Sequence, residues 1–185
     1  DRIVLDGIEL AQYLLERFDK NKVILLGHSW GSMIGTYMVD LSPELFYAYV
    51  GVGQMVNTLE TNLVSYEYVL EQSQVAGDSK GTEQLLEIGP PPWGPTPEEA
   101  REKLSIQQSY LMPYNGSIYG YDSFLQLIAI MLRVPYTPIS YMFDYINGST
   151  FSSVSLQDDL ENFDLRKLDG KYELPMFFLL GANDY

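Results

Sequence analysis

Val23-Ile24-Leu25-Leu26-Gly27-His28-Ser29-Trp30-Gly31-Ser32 is the stretch on which the reading of this chain turns. An apolar, partly β-branched run stops at Gly27, and a helix-compatible run, Met33 to Asp40, begins four residues past Ser29. The G-x-S-x-G between them predicts a sharp strand-to-helix turn that lifts a serine hydroxyl above the end of a sheet. Gly27 and Gly31 are expected to leave room where the backbone folds tightly and the helix passes close to neighbouring strands. Ser29 should be held strained and exposed, its Oγ free for attack. It also lies at the N-terminus of the following helix, where backbone N–H groups favour developing negative charge.

That stretch resembles the nucleophile elbow of the α/β-hydrolase family. Gly27-His28-Ser29-Trp30-Gly31-Ser32 is particularly similar to the G-G-S-W-G-S elbow of proline iminopeptidases and their serine-peptidase relatives. His28 departs from them, standing where those peptidases usually carry glycine and where lipases and esterases commonly carry histidine. A serine rather than an aspartate at the elbow favours acyl transfer over attack on an alkyl carbon.

Composition narrows the partners. With 185 residues and 46% hydrophobic content, the chain can bury a sizeable core but cannot build two full α/β domains. A net charge of −14 argues against nucleic acid and anionic membrane, since both demand a basic face. The absence of cysteine excludes disulfides, thiolate metal sites and cysteine catalysis, and a single histidine makes zinc a poor expectation. The longest apolar stretch, Phe124 to Leu132, is interrupted by Gln126 and too short to span a bilayer. No secretory signal pattern opens the sequence, and a cytoplasmic location is favoured.

Around the elbow the periodicity is of α/β type. Val4, Ile8, Ala11, Leu15 and Phe18 recur at helical spacing through an amphipathic helix over 6–18. Lys22–Leu26 reads as the strand feeding the elbow, and Tyr47–Val52 as a second buried parallel strand. Ser42-Pro43-Glu44 introduces at most a short helical turn. From Asn57 to about Glu173 helical periodicity dominates. Helices are expected over 59–76, over 82–88, and from the Thr96-Pro97-Glu98-Glu99 start to about Leu111, after a rigid Gly- and Pro-rich connector at 89–95. Tyr121–Leu132 should be helical, and Ile139–Ile146 and Leu156–Phe163 should be shorter helices separated by a Gly-Ser-Thr loop.

The strand pattern returns in Leu174-Pro175-Met176-Phe177-Phe178-Leu179-Leu180, followed by Gly181-Ala182-Asn183-Asp184. In the family it resembles, the catalytic acid sits in such a G-x-x-D turn after a buried strand, and Asp184 matches that position. The resemblance then implies a partial α/β-hydrolase core at 1–56 and 174–185, with 57–173 as an inserted helical cap. In that scheme Ser29 is the nucleophile, the Trp30 N–H is one oxyanion donor and Asp184 orients a histidine. His28 adjoins Ser29 and should not reach its hydroxyl productively; a core or elbow-supporting place is expected for it. The base is therefore expected from polypeptide beyond these residues, with the remainder of the hydrolase domain, and the segment alone should be inactive.

The reaction implied is hydrolysis of an ester or amide in a small-molecule or short-peptide substrate, with no cofactor or metal. Glu60, Glu67 and Glu71 could bind a peptide's free amine, as cap acids do in the aminopeptidases it resembles, although acids on a helix more often form a solvated face. The tyrosines and methionines of 57–173 suit an adaptable apolar pocket and an ordinary core equally. The alternative is a non-catalytic binder of small ligands on the same scaffold.

Overall fold

The computed structural model describes residues 2–118, 120–133, 139–168 and 170–182. The chain divides into two compact units, the first built from residues up to 57 and from 164 to 182, the second from 58–163.

In the first unit, helix α1 (Arg2–Phe18) buries Val4, Ile8 and Ala11, the stripe that its 3.6-residue period dictates. Phe18, expected on that stripe, is 61% exposed. The helix ends there: Asp19 turns left-handed at φ 50° and the Lys20 N–H closes onto the Leu15 carbonyl at 2.9 Å. Strand β1 (Val23–His28) leads into α2 (Trp30–Leu41), a single 3₁₀ turn (Pro43–Leu45) and β2 (Phe46–Val52). Strand β3 (Met176–Leu179) completes a parallel sheet in the order β1-β2-β3, so the strand from Phe46 is central. The α/β reading of the sequence holds. The register aligns Leu25 with Tyr49 and Tyr49 with Met176. These residues pack with Val4, Ile8, Ala11, Met38, Val39 and Phe46 in the core that α1 and α2 form on one face of the sheet.

On the opposite face apolar side chains of the outer strands stay exposed. Ile24 and Leu26 of β1 and Phe177 and Leu179 of β3 are each more than half exposed. Parallel strands are ordinarily covered on both faces, and these four apolar residues have the sequence of covered strands. The segments leading out to residue 58 and back from residue 163 are paired. Asn57 and Asp164 form an antiparallel bridge and the Leu165 N–H donates to the Val56 carbonyl at 2.8 Å. Arg166 forks onto the Asp164 carboxylate at 2.8 and 2.9 Å. That fork, with the Arg166 backbone N–H and Asn57, holds Asp164 well below the usual carboxylate range.

Every secondary-structure element among the described residues of the second unit is a helix. Helices α3 (Thr58–Val75), α4 (Ser79–Ile88) and α5 (Pro97–Leu111) enclose Tyr66, Val69, Leu85, Ile88 and Trp93. Thr96 caps α5 through the Glu99 N–H with Pro97 in the first turn, as its sequence dictates. The α4 start lies earlier than hydrophobic periodicity indicates, because Asp78 caps it, accepting the Gly81 N–H at 2.9 Å. Trp93 is buried in the proline-rich connector, its indole N–H satisfied by the Gly89 carbonyl at 2.7 Å. Beyond lie α6 (Phe124–Met131), α7 (Ile139–Ser155) and α8 (Gln157–Glu161). The Gly-Ser-Thr at 148–150 does not break the chain as expected. Helix α7 runs through it, since an isolated glycine costs a helix only about 1 kcal/mol.

Two predictions follow from these packings. The exposed apolar sheet face and the edge of β1, unpaired among the described residues, should make residues 1–185, expressed alone, self-associate at micromolar concentration. Ile24→Lys with Leu26→Lys should shift the population toward monomer, measured by size exclusion with light scattering. The second concerns alkaline pH. The Tyr114 hydroxyl donates to Asp78 at 2.9 Å beside the stacked ring of Tyr110. Burial first, then the bond and charge of Asp78, raise the Tyr114 phenol to about 12 from 10. The folded state keeps this proton where the unfolded chain releases it. The interaction is therefore fully present below pH 10 and is lost as pH rises toward 12. Tyr114→Phe should remove about one proton's worth of slope from stability against pH in that window, read by urea denaturation at pH 9 to 12.

Candidate active site

Ser29 stands between the last residue of β1 and the first of α2. Its φ of 51° and ψ of −123° lie outside the regions a residue with a Cβ readily adopts, a conformation that costs about 1–3 kcal/mol. Its N–H continues the parallel ladder, donating to the Val52 carbonyl at 2.9 Å. Its carbonyl accepts the Ser32 N–H at 2.8 Å and the Ser32 hydroxyl at 2.6 Å. The Ser29 side chain makes no capping bond to α2, and the residue is exposed. The turn thus holds a hydroxyl in the open at a sheet end, beside a helix N-terminus.

The flanking glycines play different parts. A Cβ on Gly27 would meet the Gly31 carbonyl oxygen at 2.7 Å and the Ser32 Cα at 2.8 Å, both backbone atoms that cannot step aside. Gly31, expected to be needed for the same reason, would place a Cβ within 4 Å of none of the described atoms. The close helix-to-strand approach falls instead at Gly35, where a Cβ would meet the Tyr49 ring at 2.6 Å.

Trp30 is the first residue of α2, so its N–H has no acceptor within the helix. That group is available to an oxyanion beside Ser29. His28 is exposed, not a core residue, because it continues the exposed alternation of Ile24 and Leu26. The strand before the acid turn forms as predicted and reaches Leu179, but Asp184 lies outside the described residues. The sequence gives Ser32 only a place in the elbow motif and marks neither Tyr49 nor Gln54, yet all three are hydrogen-bonded beneath the elbow. Only the spacing of Ser32 from Ser29 could have pointed to any of them.

Within the helical unit a cleft of about 610 Å³ is lined by Leu59, Asn62, Trp93, Arg101, Leu104 and Glu161, among others. Glu60, Glu67 and Glu71 are all exposed on α3, and none lines this cleft. Among the described residues no three histidine, cysteine or acidic side chains are gathered to hold a metal ion. No helix among them is long and apolar enough to cross a membrane.

A three-stranded parallel sheet whose first strand ends in a strained serine turn defines a class. Residues 5–116 match the family model for the alpha/beta hydrolase fold, and the chain belongs to that family. It is 27% identical over 184 residues to a probable aminopeptidase, YbaC, of Bacillus subtilis (strain 168), an alignment that covers all of this chain and 57% of that protein. The crystal structure of VinJ superposes with a TM-score of 0.48 at 14% identity, covering 98% of this chain and 56% of that one. The chain therefore spans little more than half the length of these relatives.

The unequal glycines yield a direct test. Gly27→Ala should destabilise the first unit by about 1–3 kcal/mol through forced backbone movement. Gly31→Ala, in open space on a helix, should be neutral or stabilising by up to about 1 kcal/mol. Urea denaturation of the two variants decides it, and equal effects would remove the steric account of Gly27.

Proposed function

We propose that the protein carrying this chain is a serine hydrolase that removes N-terminal residues from short peptides, with proline iminopeptidase-like specificity. The observation that carries the proposal is Ser29, exposed and strained at a strand-to-helix turn in a member of the alpha/beta hydrolase family. The aminopeptidase name of a relative matched along the whole chain supports peptide over ester substrates. The G-x-S-W-G-S form of the elbow supports the iminopeptidase branch.

In this reading the Ser29 Oγ attacks the scissile carbonyl while a histidine takes its proton. The Trp30 N–H stabilises the oxyanion and Asp184 orients the histidine. The helical unit, 58–163, corresponds in this reading to the inserted cap of the family, expected from the sequence over 57–173. His28 is the one histidine of the sequence, and its place beside Ser29 does not suit it to the role. The base comes from polypeptide outside these 185 residues, as does the second oxyanion donor, whose loss alone costs about 10²–10³ in rate. Residues 1–185 by themselves are then inactive, although their serine is correctly shaped.

The test uses the full native polypeptide, a fluorophosphonate probe and a pair of proline anilides. Labelling at Ser29, abolished in Ser29→Ala, is expected. So is turnover of the free N-terminal proline substrate with rejection of its N-acylated equivalent, since an aminopeptidase acts only where the substrate presents a free terminal amine. Equal turnover of the two, or activity on acyl esters alone, would replace the aminopeptidase reading with an esterase. No labelling would leave a ligand-binding protein on this scaffold.

A further inference from the structure

Behind Ser29, on the core side of the turn, polar groups are joined in an unbroken series. The Ser32 hydroxyl donates to the Ser29 carbonyl at 2.6 Å and accepts the Met55 N–H at 3.0 Å. The Ser32 carbonyl accepts from the Thr36 hydroxyl at 2.8 Å and lies 3.0 Å from the Tyr49 hydroxyl. That phenol is also 2.8 Å from the Gln54 amide oxygen, while the Gln54 amide nitrogen donates to the Met55 carbonyl at 2.8 Å. Ser32 and Tyr49 are completely buried and Thr36 almost so. Burial pushes the Tyr49 phenol up, against the opposing bond from Thr36, so it remains a protonated donor.

The local backbone is shaped to admit this series. Gly51 is the residue whose missing side chain leaves space for the Gln54 amide, and Gly35 leaves space for the Tyr49 ring. Buried polar groups weaken a core unless they are all satisfied, and an apolar set would pack the same volume more simply. Here they converge on Ser32: its carbonyl takes the Thr36 and Tyr49 hydroxyls, and its own hydroxyl and N–H hold the Ser29 carbonyl oxygen. That atom fixes the peptide plane on the C-terminal side of the strained residue. The same series takes in Met55, at the segment where the chain leaves the sheet for the helical unit.

We propose that Ser32, Tyr49 and Gln54 are positioning residues for Ser29: Ser32 holds its carbonyl, and with it the positive φ that aims the hydroxyl, while Tyr49 and, behind it, Gln54 hold Ser32 in place. This deepens the serine-hydrolase reading above and rests on it for its catalytic consequence. It does not rest on it for the backbone effect. Misplacing a reacting group by about 1 Å costs on the order of a hundredfold in rate, so loosening this hold should act on the chemical step more than on substrate binding.

The experiment compares Ser32→Ala, Tyr49→Phe and Gln54→Leu with Val4→Ala, a core truncation on α1 away from the turn, in the full native polypeptide. Two quantities are read: the rate of fluorophosphonate labelling at Ser29, and amide hydrogen exchange at Ser29 and Ser32. Ser32→Ala should slow labelling about 10- to 100-fold, with kcat reduced and KM little changed, and should speed exchange at both amides. Tyr49→Phe and Gln54→Leu should give smaller changes of the same sign. Ser32→Thr, which keeps the hydroxyl, should recover most of the rate. Val4→Ala should lower Tm without a selective effect at the turn. Parental labelling and exchange in Ser32→Ala, or losses no larger than those of Val4→Ala, would overturn the proposal. So would faster exchange with unchanged labelling, since the hold would then be irrelevant to the hydroxyl. If the parent is not labelled at all but exchange responds as expected, the nucleophile reading fails while the hold on the Ser29 backbone stands.

Discussion

The Tyr49 side chain is the contact on which the first unit depends. It lies on the central strand, fully buried, with its ring against Gly35 of α2 and edge-on to Phe178 of β3 at 6.4 Å. Its hydroxyl reaches the carbonyl of Ser32 in the first turn of α2 and the amide of Gln54 just past the strand end. One residue thus sets the separation of helix and sheet and the direction in which the chain leaves the sheet. A phenylalanine there would keep the packing and lose the polar tie. A smaller apolar residue would lose both, with a cavity under the elbow.

The strained turn follows from that arrangement. Helix α2 is held close to the sheet because Gly27 and Gly35 allow it, and β1 runs to His28 in register with Val52. Between these fixed ends few backbone paths are open, and the one taken puts Ser29 at positive φ. The cost of about 1–3 kcal/mol is of the size that two or three net hydrogen bonds of about 1 kcal/mol each offset. Ser32 alone supplies two such bonds through its hydroxyl.

Much of this was legible in the sequence because it rests on local signals. The apolar runs at 23–26, 47–52 and 176–180 and the glycine-flanked serine specify strands and turn without tertiary knowledge. The Thr96-Pro97 start of α5 is equally local. What escaped is what needs distant partners. Tyr49 reads as one more strand aromatic and Gln54 as loop polarity until the fold brings them to Ser32. Gly31 was given a steric duty by its place in the motif, whereas packing assigns that duty to Gly35. Gly148 reads as a breaker, yet flanking helix carries the chain through it. His28, next to Ser29 and pointing away from its hydroxyl, reads as a core or elbow-supporting residue, but strand alternation places it with the exposed residues rather than in the core. Asp184, the acid of the proposed triad, falls outside the described residues, so its part rests on sequence alone.

The choice of residue at position 29 bears on what the turn is for. If the strand-to-helix turn were only architecture, glycine would fill it without strain, as it does at the positive-φ positions Gly53, Gly77 and Gly89. Asparagine and aspartate tolerate such backbone better than serine does, and among the described residues they occupy the other two non-glycine positions of this kind, Asp19 and Asn115. Serine gains nothing structural to offset its Cβ there, since its hydroxyl caps no helix and the residue is exposed. What the side chain does have is an unencumbered oxygen beside a helix N-terminus, where the proposed mechanism sets an oxyanion against the Trp30 N–H. A residue that strains its own backbone and packs against little is better explained by chemistry than by folding. That reasoning gives the proposed nucleophile its physical weight, independent of any resemblance.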